Sequence, residues 1–470
     1  VNRVKRVFFY TFGILLAAAA GISGCTGNGQ GRRWSTEYSG PSDPEVPESE
    51  TDYSEPVKIP ESMSVPAFRG SETARASLPG QYDARETGRT STVKDQGNLG
   101  TCWAFASLLA LESSLLPDEV WDFSEDHMTS QPWFRLGQED GGEYTMSMAY
   151  LLSWQGPVRE EDDPYGDGES PEGLSAVKHI QEIQLVPSKD LAAIKEAVLH
   201  CGGVQTSLYT TLEDKNSSSK FYNQTERAYY YPHDMEPNHD VVIIGWDDTF
   251  SADLFPGDVP GDGAFLCQNS WGTEFGDSGC FYVSYWDANI GRNNVLYSLV
   301  EDNDNYDTIY QSDLCGWIGQ LGYGSSVAWA VNVYRTETRE QLKAAGFYAI
   351  NSNSDYEVYV VRNLPENPAD EDFVKRTLVA GGTLDYAGYY TIPLSEEIEL
   401  GAGERFGVMI RLVTPREIHP IAIEYDVGDG KSSVDLSDGE GYISPDGRQW
   451  QHVETEQKCN LCLKAYTNNH

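Results

Sequence analysis

Two short stretches, far apart in the chain, hold residues that can do nucleophilic chemistry together. Gln96-Gly97-Asn98-Leu99-Gly100-Thr101-Cys102-Trp103-Ala104-Phe105 places a thiol just after a glycine. Asn238-His239-Asp240-Val241-Val242, followed later by Gln268-Asn269-Ser270-Trp271-Gly272-Thr273, supplies an imidazole. A thiol at its free pKa is mostly protonated at neutral pH, so a nucleophilic cysteine needs a base beside it. His239 can be that base and can later return the proton to a departing group. An imidazole that rotates freely wastes its proton, so a third group must fix its plane and tautomer.

These residues need elements to hold them. From Cys102 to Leu116 there is no Gly or Pro, strong helix formers dominate, and Gly100 breaks the chain just before. The run predicts a helix that is apolar all round and therefore buried. A cysteine in its first turn feels the positive end of the helix dipole, which favours the thiolate. A second helix is expected over Met146–Trp154. Leu191, Ile194, Val198 and Leu199 mark a third, stopped by Gly202-Gly203. Strands are expected at Val204–Tyr209 and at Val241–Trp246, directly after His239. Asp247 to Gly263 reads as an inserted acidic loop without regular cation-ligand spacing.

The two motifs together resemble the papain-like cysteine peptidases over roughly residues 78 to 300. The resemblance implies roles residue by residue. Cys102 is the nucleophile, His239 the general base and acid, and Asn269 the amide whose side-chain oxygen orients the imidazole. Gln96 supplies the side-chain donor of an oxyanion hole, with the Cys102 N–H as the second donor. Trp271 shields the His239–Asn269 contact from water and lines the groove. Glu139-Asp140-Gly141-Gly142 resembles the family's substrate-backbone loop and reads equally as a simple turn. If it is that loop, Gly142 would pair with an extended peptide, and Glu143 and Tyr144 would stand at the rim of a specificity pocket. Leu99 stands where the family usually has a bridging cysteine, so that disulfide is not expected. The implied fold is α+β: a two-lobed catalytic domain with a helical lobe and a β-barrel-like lobe, starting near Leu78.

The chain carries 73 acidic and 33 basic residues, a net charge of −40, which argues against nucleic acid as a partner. Arg3, Lys5 and Arg6 precede the apolar run Val7–Ala20 and then Gly21-Ile22-Ser23-Gly24-Cys25. Residues 1–25 thus read as a targeting segment whose end resembles a bacterial lipoprotein cleavage box, with Cys25 as the lipid attachment site. An uncleaved anchor and a plain secreted protein are the competing readings; the run is short for a membrane span. Residues 26–77, rich in Ser, Pro, Glu and Gly, read as a disordered tether. A coil of that length would reach roughly 40 Å. The tether shows no long amphipathic helical pattern of the kind that silences many papain relatives.

Outside the cytoplasm disulfides are permitted. Besides Cys25 and Cys102 there are Cys201, Cys267, Cys280, Cys315, Cys459 and Cys462. Cys267 and Cys280 flank an expected hairpin and are candidates to pair across it. Cys459 and Cys462 look like half a zinc site with no second half, so a bridge from Cys315 to one of them is the preferred expectation.

From about residue 301 the pattern becomes short alternating runs. Val327, Trp329, Val331 and Val333 form one, Phe406, Val408, Ile410 and Leu412 another, and Ile421, Ile423 and Tyr425 a third. Gly428-Asp429-Gly430 and Pro445-Asp446-Gly447 punctuate them, and no long helix is evident. Residues 301–470 are therefore expected to form an all-β sandwich. Tyr442–Trp450 and Cys462–Tyr466 resemble the lectin-like domain found behind some bacterial surface papain-type peptidases. That likeness concerns the fold and is not evidence of sugar binding. Asp302, Asp304 and Asp307 are candidates for a structural calcium; no metal or other cofactor is expected for the chemistry.

The sequence thus points to an extracytoplasmic, lipid-anchored cysteine endopeptidase acting on proteins or peptides. Two other readings stay open: a surface adhesin or glycan-binding protein with secondary peptidase activity, and an acyl or peptidyl transferase on the same fold.

Overall fold

The computed structural model describes residues 78–131, 133–428 and 430–469. The leader with Cys25 and the tether 26–77 lie outside the described residues.

Helix α1 (Cys102–Leu115) is buried on all sides from Cys102 to Ser113, as its unbroken apolar sequence requires. Around it lie α2 (Glu125–Thr129) and α3 (Tyr144–Leu152). α2 is capped by the Ser124 hydroxyl, which accepts from the His127 N–H at 3.0 Å. α3 begins two residues before the expected Met146 and stops short of Trp154, which adopts a left-handed φ of 61°. α4 (Leu191–His200) opens on Asp190, whose carboxylate accepts from the Ala193 N–H at 3.1 Å.

The β half comprises β1 (Gln81–Asp83), β2 (Lys178–Val186), β3 (Val204–Leu208), β4 (Tyr222–Asn223), β5 (Ala228–Tyr229), β6 (His239–Asp247), β7 (Ala264–Gln268), β8 (Cys280–Ser284) and β9 (Asn294–Asp302). They run in the order β2-β9-β3-β6-β7-β8-β5-β4, with β1 added against β6. β6 lies centrally, pairing β3 with Leu208 opposite His239, and β7 with Val242 opposite Gln268. The acidic insertion forms the connection from β6 to β7.

This sheet does not end with the catalytic half. Strand Ala387–Leu400 pairs antiparallel with β2, Tyr389 opposite Ile183. Strands Glu340–Ala349, Leu463–Asn469 and Thr308–Tyr310 follow, so one 13-stranded sheet crosses the expected boundary at 300/301. A six-stranded sheet centred on Arg405–Val413 and Val327–Arg335 faces the C-terminal part of it. Phe406, Val408, Ile410, Leu412, Phe347 and Ile392 fill the sandwich between. The alternation at Val327–Val333 is present. Ala328 and Ala330 face the sandwich core, while Trp329, Val331 and Val333 pack outward on Phe373 and Met409.

The expected disulfides are not formed: the seven described cysteines are all free. Cys267 stands opposite Phe281 and Cys280 opposite Gln268, a one-residue offset that sends the two thiols to opposite faces. They accordingly belong to different apolar clusters. Cys315 and Cys462 contact backbone carbonyls instead, of Trp133 at 3.6 Å and Gly316 at 3.4 Å.

Trp317, Tyr348 and Tyr389 from the C-terminal half share one apolar cluster with α1 and α3. The two halves should therefore unfold together. Calorimetry of the full chain is expected to show one transition, and Tyr389→Ala should lower its stability by about 3–5 kcal/mol. Two well-separated transitions would contradict the shared core.

Candidate active site

α1 and β6 each begin with a residue of the site. Cys102 opens the helix at 7% exposure, and His239 opens the strand at 3%. Thr101 does not cap α1 with its side chain, because its hydroxyl is engaged by the Tyr165 hydroxyl at 2.7 Å. The first-turn N–H groups are thus not consumed by a side-chain cap, and the positive end of the helix faces the sulfur.

The His239 Nε2 lies 2.7 Å from the Asn269 Oδ1. The Ser270 N–H also donates to that Oδ1, at 2.8 Å, which identifies it as the amide oxygen. Nε2 must then carry the proton in this contact. Nδ1 is left for the Cys102 thiol, which hydrogen-bonds to the imidazole. Trp271 stacks over the ring at 4.8 Å and is itself buried. Burial pushes the His239 pKa down, but the hydrogen bond and charge of Cys102, then Asn269 and Asp240, carry it above the ordinary imidazole value. The arrangement therefore favours the protonated imidazole.

Gln96 reaches the same place from the helical side. Its Oε1 accepts from the Ser270 hydroxyl at 2.6 Å, and its Nε2 donates to the Leu99 carbonyl at 2.7 Å. An amide nitrogen carries a second N–H besides. The backbone is clamped as well. The Gln96 N–H donates to the Ser270 carbonyl at 2.8 Å, and the Gly272 N–H to the Lys94 carbonyl at 3.0 Å. Ser270 was part of the sequence motif, but nothing in its type revealed that it would hold Gln96.

Gly141 and Gly142 lie against the first turn of α1. A Cβ on Gly142 would stand 2.5 Å from the Trp103 indole, and one on Gly100 would stand 2.8 Å from the Gly141 nitrogen. Gly141 also needs its left-handed φ of 80°. Glu143 and Tyr144 follow directly, at the start of α3. On another side, a cleft of about 140 Å³ borders Trp271 and the residues flanking Gln96, with Lys215 bridging to Asp95 at 2.9 Å.

Lys94 anchors the clamp from below. It meets Asp122 at 2.7 Å, Glu125 at 2.9 Å and Glu112 at 3.3 Å, the last two fully buried. Burial alone would lower the Lys94 pKa, but Glu125 and Glu112 hold it above its usual value. Burial pushes Glu125 up to about 8 and raises Glu112, with Lys94 opposing both. Lys94 is thus the common counter-charge of both buried carboxyls.

Among the described residues no three His, Cys, Asp or Glu side chains converge as a metal site. Asp302 pairs with Lys178 at 2.6 Å, and Asp307 accepts from the Asn469 N–H at 2.7 Å. Cys102, His239, Asn269, Gln96 and Trp271 are brought together, with Gly141 and Gly142 at their edge.

Residues 78–298 match the family model described as papain family cysteine protease. That segment is similar to papain-family cysteine proteases. Residues 309–467 match the model of a lectin-like domain. Cathepsin S of Bos taurus is 31% identical over 211 residues, covering 43% of this chain and 59% of the bovine protein. The cysteine protease Amb a 11.0101 of Ambrosia artemisiifolia is 28% identical, over 44% of this chain and 50% of its own. The chain thus spans only part of the length of these curated relatives. Among solved structures, the cysteine protease and lectin-like domains of Cwp84, a surface layer associated protein of Clostridium difficile, superpose with a TM-score of 0.72. That match is 24% identical and covers 84% of this chain and 90% of the other, so both domains share their fold with it.

Removing the cation beneath the clamp tests its importance. Lys94→Met leaves buried carboxyls without their counter-charge and is expected to cost about 3–5 kcal/mol of stability. Denaturant unfolding measures it; a change below about 1 kcal/mol would deny the ion cluster a structural role.

Proposed function

We propose that this chain is a cysteine endopeptidase that cleaves protein or peptide substrates through an acyl-enzyme. The observation that carries the reading is the unbroken contact Cys102–His239–Asn269, with Gln96 held beside Cys102. The Cys102 thiolate attacks the scissile carbonyl carbon, and the carbonyl oxygen takes the negative charge. The Cys102 N–H and the Gln96 Nε2 donate to that oxygen. His239 gives its proton to the leaving amine as the C–N bond breaks, which leaves a thioester. Water then attacks the thioester, loses a proton to His239 and releases the carboxylic acid and the thiol. Asn269 holds the imidazole plane throughout, and Trp271 keeps water from their bond. Gly141 and Gly142 offer backbone to the extended substrate at a place where no side chain obstructs it. No step needs a cofactor.

Location belongs to the same proposal: an extracytoplasmic enzyme anchored by a lipid on Cys25. The leader sequence supports it, as does the surface-layer association named for the structurally similar Cwp84. Globomycin, which blocks lipoprotein signal cleavage, should make the precursor accumulate in membranes. Glycan binding by the C-terminal half is a second reading, supported by its lectin-like match. Its exposed large hydrophobics among the described residues are Val374, Ile418 and Val427, none of them an aromatic ring suited to stacking on sugar.

A structural calcium in that half is likewise proposed, near Glu454 rather than Asp302. Asn332 Oδ1 and Asn460 Oδ1 are buried without hydrogen-bond partners, and both flank the Glu454 carboxylate at Gly439 and Gly441. Hard oxygen donors of this kind suit calcium. A chelator should lower the Tm and added calcium restore it; an unchanged Tm would refute the site.

A thiol-directed electrophile should label Cys102, and Cys102→Ala should abolish cleavage; undiminished cleavage in that variant would refute the mechanism. Ser270→Ala releases the Gln96 amide and should lower kcat by about tenfold, the equivalent of one hydrogen bond. For pH dependence the sign follows from His239, whose raised pKa keeps it protonated above the usual imidazole range. The alkaline limb of kcat/KM should lie above about pH 6.5. Asn269→Ala removes one contact that favours the charged ring, so this limb should move to lower pH.

A further inference from the structure

The two donors assigned to the oxyanion sit at the two ends of one loop, Gln96 to Cys102. That loop is not stiff by its own sequence. Gly97 stands at a left-handed φ of 64°, and Gly97 and Asn98 are exposed at its tip. The cysteines among the described residues are all free, so no disulfide braces it. The Ser270 hydroxyl and the Leu99 carbonyl hold the Gln96 amide, but neither belongs to the helix that carries Cys102. A tie between the two ends has to come from elsewhere in the chain.

Tyr165 supplies that tie. Its hydroxyl donates to the Gln96 carbonyl at 3.0 Å and meets the Thr101 hydroxyl at 2.7 Å. A phenol has one proton, so with that proton on Gln96 the Thr101 hydroxyl is the donor in the second contact. Gln96 and Thr101 are buried, at 1% and 0% exposure. One oxygen thus joins the residue with the side-chain donor to the residue just before Cys102. The Tyr165 ring rests edge-on against Phe105 of α1, with centroids 4.8 Å apart. Burial, and then the charges of Asp126, Glu125 and Asp95, push the phenol pKa up to about 12 against the Thr101 hydrogen bond. The hydroxyl therefore keeps its proton at neutral pH.

The backbone around Tyr165 is itself fixed. Its N–H donates to the Glu160 Oε1 at 2.9 Å. The N–H groups of Gly166, Asp167 and Gly168 all donate to one oxygen of the buried Asp126 carboxylate, at 3.0, 3.2 and 3.0 Å. The other Asp126 oxygen accepts from the Gln138 Nε2 at 2.7 Å, and the Gln138 carbonyl accepts from the Gly100 N–H at 2.8 Å. Asp126 thus anchors two braces on the same loop, one at Gly100 and one through Tyr165.

We propose that Tyr165 is a positioning residue for oxyanion stabilisation, its hydroxyl setting the spacing between the Gln96 Nε2 and the Cys102 N–H. It touches no reacting atom. A phenylalanine could pack on Phe105 equally well, so ring burial does not account for the hydroxyl. What the hydroxyl adds is a link between two buried residues that a glycine-containing loop separates. Negative charge gathers on the carbonyl oxygen only as the tetrahedral species forms, so a loop free to spread loses transition-state binding and leaves ground-state binding alone. The inference rests on the peptidase reading given above.

Tyr165→Phe removes the hydroxyl and keeps the ring. In the full chain it should lower kcat on a peptide substrate by about tenfold, with KM within about twofold of native. A peptide aldehyde adds to the Cys102 sulfur as a tetrahedral adduct whose oxygen stands in for the oxyanion, and it should bind about tenfold more weakly. Alkylation of Cys102 by iodoacetamide forms no oxyanion, so its rate and pH profile should stay native. In a Gln96→Ala background the same change should cost less than about twofold, because the side-chain donor is already gone. Thr101→Val breaks the link at its other end and should lower kcat and aldehyde affinity together; it decides the matter if Tyr165→Phe does not fold. A native kcat in either variant, or alkylation that falls in step with kcat, overturns the proposal. A native chain that binds the aldehyde and cleaves no peptide sinks the peptidase reading, while the aldehyde comparison still judges Tyr165.

Discussion

Two backbone hydrogen bonds, Gln96 to Ser270 and Gly272 to Lys94, hold the site in one piece. Cys102 belongs to a helix and His239 to a strand, and the two elements pack on each other in one apolar cluster. The segment before Cys102 and the segment after Asn269 run side by side across the gap, with Asp95 bridging Trp271. That short zip holds the loops on either side of the sulfur and the imidazole together. It also brings the Ser270 hydroxyl to Gln96, so one loop positions both the amide that orients the base and the amide beside the nucleophile. The Lys94 ion cluster then roots the zip in the helical lobe. Misplacement here would be felt at every group of the site together.

Much of the site was legible in the sequence because the chemistry demands particular residue types. A thiol at the head of an unbroken apolar run, a distant histidine before a β-rich stretch, and an Asn-Ser-Trp-Gly turn leave few alternatives. The elements that carry them were legible too, since α1, α4 and β6 have clean starts and stops. What escaped was set by partners. Nothing in the period of Lys178–Val186 marks its pairing with Ala387–Leu400, because period-two patterns record which faces are buried and not against what. Cys267 and Cys280 looked like hairpin neighbours, yet a one-residue offset in register put them on opposite faces. Trp329 and its alternate neighbours show their alternation in sequence, but the structure turns them to the outer cluster. Only the small Ala328 and Ala330 leave room for the second sheet on the core side.

The polar contact between α1, α3 and β3 belongs to this second class. Ser107, Ser147 and Gln205 look unremarkable in sequence, a serine in each of two apolar helices and a glutamine in a strand. In space they form a chain in which each hydroxyl or amide settles the orientation of the next. Such a chain makes the junction of the lobes a polar contact with a unique register, where apolar packing alone would tolerate sliding.

The sheet shared by both halves bears on how the molecule comes into being. The outer edge of Lys178–Val186 has its neighbour only once the polypeptide has been made past Tyr390, and the row beyond it is closed by the last residues described, Leu463–Asn469. During synthesis or export from the N-terminus, the groove-forming half therefore emerges before the strands that complete its sheet. Its sheet is completed only by strands that lie later in the sequence, an ordering written into strand connectivity.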